Sequence, residues 1–188
     1  MSRAESGAAA RTKILEAAAA RGAAEGVGAL SLQGIATAAG VSKPLVLYHF
    51  GDKDGVLRAL GEALVAADVA ELTRAVAATD VLEGWRALAR DAEQARRRAL
   101  LAALQLESAL RDAAGDWHHR RLAHATTLAT AILRSAGLAP RHAPPLLGTM
   151  VLHQLDGLAA SVAGAELAAA ASDARQDAFA LALLALGD

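Results

Sequence analysis

Hydroxyl, amide, imidazole, phenol and ammonium groups gather between Ser31 and Lys53. Ser31, Gln33, Ser42, Lys43, Tyr48, His49 and Lys53 all carry hydrogen-bond donors there. Such donors suit phosphate oxygens and base edges, the two surfaces a nucleic acid offers. The carboxamide of Gln33 can pair with adenine N6 and N7. Pro44 and Leu45 offer apolar contact to thymine methyl groups. Each donor also has a plainer reading. Gln33 and Lys43 would serve as solvated helix surface, and His49 as a structural side chain. Phe50 reads as core in either case.

The elements that must position these groups are two short helices. Ser31 is a good N-cap, because its hydroxyl can accept an orphan backbone N–H. Leu32, Ile35, Ala36 and Ala39 follow at helical spacing. Gly40 then stops the first helix. Val41 can plug the corner, Ser42 can cap again, and Pro44 suits a first helical turn. The second helix is expected at about Lys43 to His49. Helix, glycine-containing turn, helix is the unit whose second helix enters the DNA major groove. Its N-terminus, at Ser42 and Lys43, favours a phosphate.

The order of residues is more specific than that outline. Ile35-Ala36, Ala39-Gly40-Val41-Ser42, Tyr48-His49-Phe50, Lys53 and Val56-Leu57 resemble the DNA-binding domain of TetR-family regulators. The resemblance spans roughly residues 11 to 60 by motif, and the rest by length and helical texture. It implies that His49 and Lys53 clamp the backbone while Tyr48 reaches backbone or a base. Two positions depart from the family's pattern. Leu47 stands where the first of two aromatics is usual. Gly22 stands where a bulky apolar residue, commonly Phe, is usual, which predicts a loosely seated first helix.

Other chemistry is thinly represented. His118, His119, His124 and His153 invite a metal reading, but the first three miss the i, i+3 and i, i+4 spacing of helical ligand pairs, and there is no cysteine. No metal site, cofactor or enzyme activity is expected. Glycine-rich phosphate loops and nucleophile elbows are missing from the sequence. Arg96-Arg97-Arg98 reads as a solvated helix face.

Composition narrows the class further. The chain has 188 residues, is 54% hydrophobic and only 3% aromatic, and carries a net charge of −1. That is too apolar for disorder. Abundant Ala and four Pro favour helix throughout. Residues 1–53 hold six basic groups against four acids, leaving −3 on the remainder. The longest uncharged apolar run, His142 to Leu155, is short of the roughly 20 residues of a membrane span. No signal-peptide core opens the chain, so a cytoplasmic location is expected.

The fold class expected is all-α with about nine helices, a three-helix head at 1–53 and a helical body at 54–188. Residues 1–8 read as a loose tail and helix 1 as Ala9 to Glu25. Asp52 and Asp80 read as caps. Val81 to about Arg111 reads as nearly continuous, broken near Glu93 to Arg98. A helix from Gly115-Asp116 to Gly137 should follow, then one from Pro144 to Ala163, then one capped by Ser172 or Asp173.

The resemblance also implies what the body does. The last two helices would form a four-helix bundle with a partner subunit, through Leu147, Val151, Leu155, Leu158, Val162, Phe179 and Leu183. Leu155-Asp156-Gly157-Leu158 is similar to the family's usual phrase there. Ordinary packing within one chain is the alternative use of these small and apolar residues. An effector cavity would be walled by Trp85, Leu104, Trp117, Leu128 and His153, with Gln105 or Gln154 as its polar group. The expectation is a homodimeric regulator, most simply a repressor, that binds a palindromic double-stranded operator and is released by a small apolar effector. The alternative is a DNA-binding regulator without a small-molecule effector, controlled by a protein partner or by expression level.

Overall fold

The computed structural model describes residues 3–162 and 169–187, with side chains over 7–159 and 177–187. The described residues form α1 (Arg3–Glu25), α2 (Leu32–Ala39), α3 (Lys43–Phe50), α4 (Lys53–Ala77), α5 (Val81–Arg90), α6 (Ala92–Gln105), α7 (Arg111–Ser135), α8 (Pro144–Val162) and α9 (Ala169–Leu184). Single 3-10 turns at Val27–Ala29 and Ser108–Leu110 join α1 to α2 and α6 to α7. Helices dominate, and no strand forms among the described residues, as an Ala-rich, Pro-poor chain dictates. The chain divides into two compact units. One holds Met1–Leu64 and Leu100–Ala114, the other Val65–Ala99 and Gly115–Asp188.

Four boundaries differ from the sequence expectation. Helix α1 begins at Arg3, so the expected tail is helical from there. Good helix formers surround Ser6 and Gly7, and a single glycine costs only about 1 kcal/mol. The break after α5 falls at Asp91, not among the charges that follow. The Asp91 carboxylate accepts the backbone N–H of Glu93 at 2.9 Å and of Gln94 at 3.1 Å, which starts α6. The crowded charges then pair along the helix, Glu93 with Arg96 and Arg97. Helix α7 begins at Arg111 and runs through Gly115, where a Cβ would meet open space. Finally, α9 begins at Ala169, ahead of Ser172 and Asp173, whose side chains lie outside the described residues. The expected helix end at Ala163 also falls outside them. Asp52 and Asp80 do cap their helices, accepting Gly55 N–H at 2.7 Å and Leu82 N–H at 2.9 Å.

In the second unit the core gathers Leu72, Trp85, Leu128, Ile132, Leu147, Val151, Leu155 and Leu183. The Trp85 ring packs on Phe179 at 5.2 Å between centroids. Gly148 lets α8 approach α7 closely: a Cβ there would stand 2.8 Å from the Thr126 backbone nitrogen.

That unit also buries charge, and one expectation fails there. Arg96 and Arg97 lie on the surface, but Arg98 is only 3% exposed. Its Nε donates to Asp68 at 2.6 Å. The other Asp68 oxygen accepts Arg121 Nε at 2.7 Å, and Arg121 grips Asp156 through both terminal nitrogens. Helical rotation explains the split. Three consecutive arginines cannot share a face, so the third turns inward, where Asp68 compensates its charge. Burial would push the Arg121 guanidinium down, but its bonds to Asp156 and the nearby Asp68 charge outweigh that and hold it above its ordinary value.

Candidate DNA-binding surface

Local hydrogen bonds fix α2 and α3. Ser31 Oγ accepts Gly34 N–H at 3.1 Å, and Ser42 Oγ accepts Leu45 N–H at 3.3 Å. Both serines therefore cap as their types predict, and each hydroxyl proton remains to donate outward. Gly40 sits at φ 66° and ψ 33°, the left-handed region that a side chain disfavours. Its N–H closes on the carbonyls of Ala36 and Thr37.

Burial then sorts the faces. Ile35, Ala36 and Val46 are fully inside, which seats both helices. Gln33, Ser42, Lys43, Pro44 and Leu47 are exposed, and Leu45 is half-buried. Tyr48 is 83% exposed, its ring meeting only the edge of His49 at 5.2 Å between centroids, an unusual cost for an aromatic side chain. The result is one outward surface on α3 that mixes cation, apolar side chains and phenol. Thr37, which sequence reasoning passed over, stands exposed one turn after Gln33 and donates to the Gln33 carbonyl at 2.9 Å.

Of the two expected phosphate clamps, one is hydrogen-bonded within the chain and the other is packed against it. Lys53 Nζ donates to the Gly28 carbonyl at 3.4 Å, a weak bond that a phosphate could replace. His49 is half-buried, and its Nε2 is shielded without a partner. Gly7 of α1 lies against that imidazole, since a Cβ there would be 3.9 Å from Cε1. Arg11, also unremarked in the sequence, bonds the His49 carbonyl and covers the Phe50 ring.

The side chains expected around an effector are placed differently from one another. Trp85, Leu104, Trp117 and Leu128 are fully buried, Gln105 and Gln154 half-buried, and His153 exposed. Leu104 and Gln105 belong to the first unit, the other five to the second. A cleft of about 560 Å³ lies instead along α4 and α5, lined by Ala75, Ala78, Ala87 and Leu88 with Glu71, Arg74, Asp80, Glu83 and Asp91. None of the seven lines it. Of the residues expected at a dimer surface, Leu147, Val151, Leu155 and Leu183 are fully buried within their own chain. They are spent on the core and present no face to a partner. Leu158 and Phe179 are half-buried, and the Val162 side chain lies outside the described residues. The exposed leucines of α8 and α9 are Leu146 and Leu181. Among the described residues no group of His, Asp and Glu is arranged to hold a metal ion. No described helix is long and apolar enough to cross a membrane.

Comparison with known proteins agrees with this geometry. Residues 14–60 match the family model of bacterial regulatory proteins of the tetR family. No curated protein matches the chain in sequence. Solved structures share its fold over nearly the whole length. A TetR family transcription regulator from Marinobacter aquaeolei is 22% identical, with 96% of each chain covered and a TM-score of 0.71. The TetR family transcriptional regulator PfmR from Thermus thermophilus is 23% identical over 89% of this chain and 97% of that one, with a TM-score of 0.67. The transcriptional regulator FadR from Bacillus subtilis, solved in complex with stearoyl-CoA, is 15% identical over 92% and 97%, with a TM-score of 0.73. Residues 14–60 thus match the DNA-binding part of the tetR family of bacterial regulatory proteins, and the chain as a whole shares the fold of solved TetR-family regulators.

Proposed function

We propose that the protein is a cytoplasmic, ligand-responsive repressor that binds a palindromic operator as a homodimer. The observation that carries this reading is the outward surface of α3. Val46 anchors the helix from below, while Lys43, Pro44, Leu47 and Tyr48 stand free above it. A buried anchor with an exposed mixed face is what a major-groove reader needs. In this reading Ser31, Ser42, His49 and Lys53 hold phosphates, and Gln33, Lys43, Tyr48, Pro44 and Leu45 meet bases. The DNA-binding part takes residues 1–53, and the remainder serves effector binding and dimerisation.

The dimer would form on the outer faces of α8 and α9, where Leu146 and Leu181 are exposed. A small apolar effector would shift the population between DNA-competent and splayed dimers. That FadR was solved with stearoyl-CoA supports an effector with an apolar chain. Full burial of Trp85, Trp117 and Leu128 favours a second reading, regulation without a small-molecule effector. No catalysis is assigned.

The test is selection of bound duplexes from a random library, followed by footprinting and sedimentation of the complex. The proposal expects a two-fold symmetric site and two subunits per site. Recovery of no preferred sequence would overturn it.

A further inference from the structure

We infer that Arg11 is a positioning residue that locks the recognition helix at its C-terminal end. The last carbonyls of a helix have no partner within it. At the end of α3, Leu47 O accepts Gly51 N–H and Phe50 O accepts Asp52 N–H. The His49 carbonyl takes its bond from Arg11 Nη1 at 3.3 Å. The same guanidinium lies 4.6 Å from the centroid of the Phe50 ring, within cation–π reach. It also brings positive charge to the negative end of the helix dipole. One side chain of α1 thus holds two consecutive residues that directly follow Tyr48. With Ser42 capping the other end, both ends of α3 are tied, and the rotation of its exposed face is set.

Lysine cannot substitute here. Its ammonium is a point charge, whereas the planar guanidinium stacks on the ring and donates sideways at once. That separates positioning from phosphate binding, which either cation could serve.

The inference rests on the proposed DNA reading, and the experiment separates the two. Wild type, Arg11→Ala and Arg11→Lys are titrated with a duplex selected by the wild type and with a random-sequence duplex, across a range of salt. Backbone hydrogen exchange is followed on the free proteins. If Arg11 positions α3, both variants bind the selected duplex about tenfold more weakly, a few-fold per subunit, as loss of one exposed cation–π pair and one bond implies. Random-duplex affinity and the salt slope stay unchanged. In free protein, amides from Tyr48 to Gly51 exchange faster while those of α2 do not. A lower salt slope with equal weakening on both duplexes, rescued by Lys, would overturn the inference and make Arg11 a phosphate ligand. Unchanged affinity and unchanged exchange would also overturn it. If the wild type selects no duplex, the DNA reading fails, and the exchange data still decide whether Arg11 holds α3.

Discussion

Leu100 of α6 fills the space in front of Gly22 on α1. A Cβ at position 22 would lie 3.0 Å from Leu100 Cδ1 and 3.5 Å from Leu30 Cδ1. The departure at Gly22 therefore does not leave helix α1 short of a packing partner. The bulk comes from another helix, and α1 packs on α2 and α3 with Ile14 and Ala18 fully buried.

Gly22→Phe should overpack this site and cost about 1–3 kcal/mol. Leu100→Ala should leave a cavity and cost about 2–5 kcal/mol. The double variant should be more stable than the sum of the two losses allows, because each change relieves the other. Urea denaturation of all four proteins gives the coupling. Additive losses would show that the two side chains do not compete for one space.

Asp68 faces two buried guanidiniums, so its removal should be severe. Asp68→Ala would leave Arg98 and Arg121 without their shared anion, at a cost of about 3–5 kcal/mol. Asp156→Ala should cost less, since its side chain is 34% exposed and water can replace it. Replacing Asp68, Arg98 and Arg121 together by apolar residues of similar volume should be far milder than Asp68→Ala alone. Thermal unfolding of the three variants tests this ranking. An Asp68→Ala protein as stable as wild type would refute the role given to the network.

Charges placed on the outer faces of α8 and α9 should yield folded monomers. Leu146→Glu with Leu181→Glu alters exposed positions, so it should halve the sedimenting mass without loss of helix. Leu183→Glu should instead unfold the body, because that side chain is fully buried. A double variant that remains dimeric would place the interface elsewhere.

The division between what was legible and what was not follows the range of each interaction. The caps at Ser31, Ser42, Asp52 and Asp80 bond the chain within two to three residues, so residue type alone gives them away. The motif around Gly40 is local for the same reason. Asp91 was missed because the charges after it suggested repulsion, whereas they pair with one another. Arg98 and Arg11 were missed because their partners, Asp68 and His49, lie 30 and 38 residues away in sequence. The apolar stripes of α8 and α9 were legible, but not their use. A core leucine and an interface leucine have the same pattern until burial tells them apart.

Lys53 and Gln33 should separate by kind. Lys53→Ala removes a side chain whose present bond, at 3.4 Å to Gly28 O, is easily exchanged for phosphate. It should weaken selected and random duplexes alike and lower the salt slope by roughly one unit for each phosphate no longer neutralised. Gln33→Ala should relax preference at one base pair in each half-site, by about 1–3 kcal/mol. A salt titration with both duplexes distinguishes them. If Lys53→Ala changed sequence preference and left the slope intact, the roles would be reversed.

If α3 is the reading helix, stripping its outward face should abolish sequence discrimination. The measurement is the ratio of affinities for the selected and random duplexes, in wild type and in Lys43→Ala with Tyr48→Ala, at one fixed salt concentration. Both side chains are exposed, so the variant should keep the wild-type circular dichroism and melting temperature. This ratio should fall by about a hundredfold, on the order of 3 kcal/mol, as expected for base recognition removed from two half-sites. A folded variant that still discriminates as the wild type does would contradict it, because α3 would then not be the reading helix.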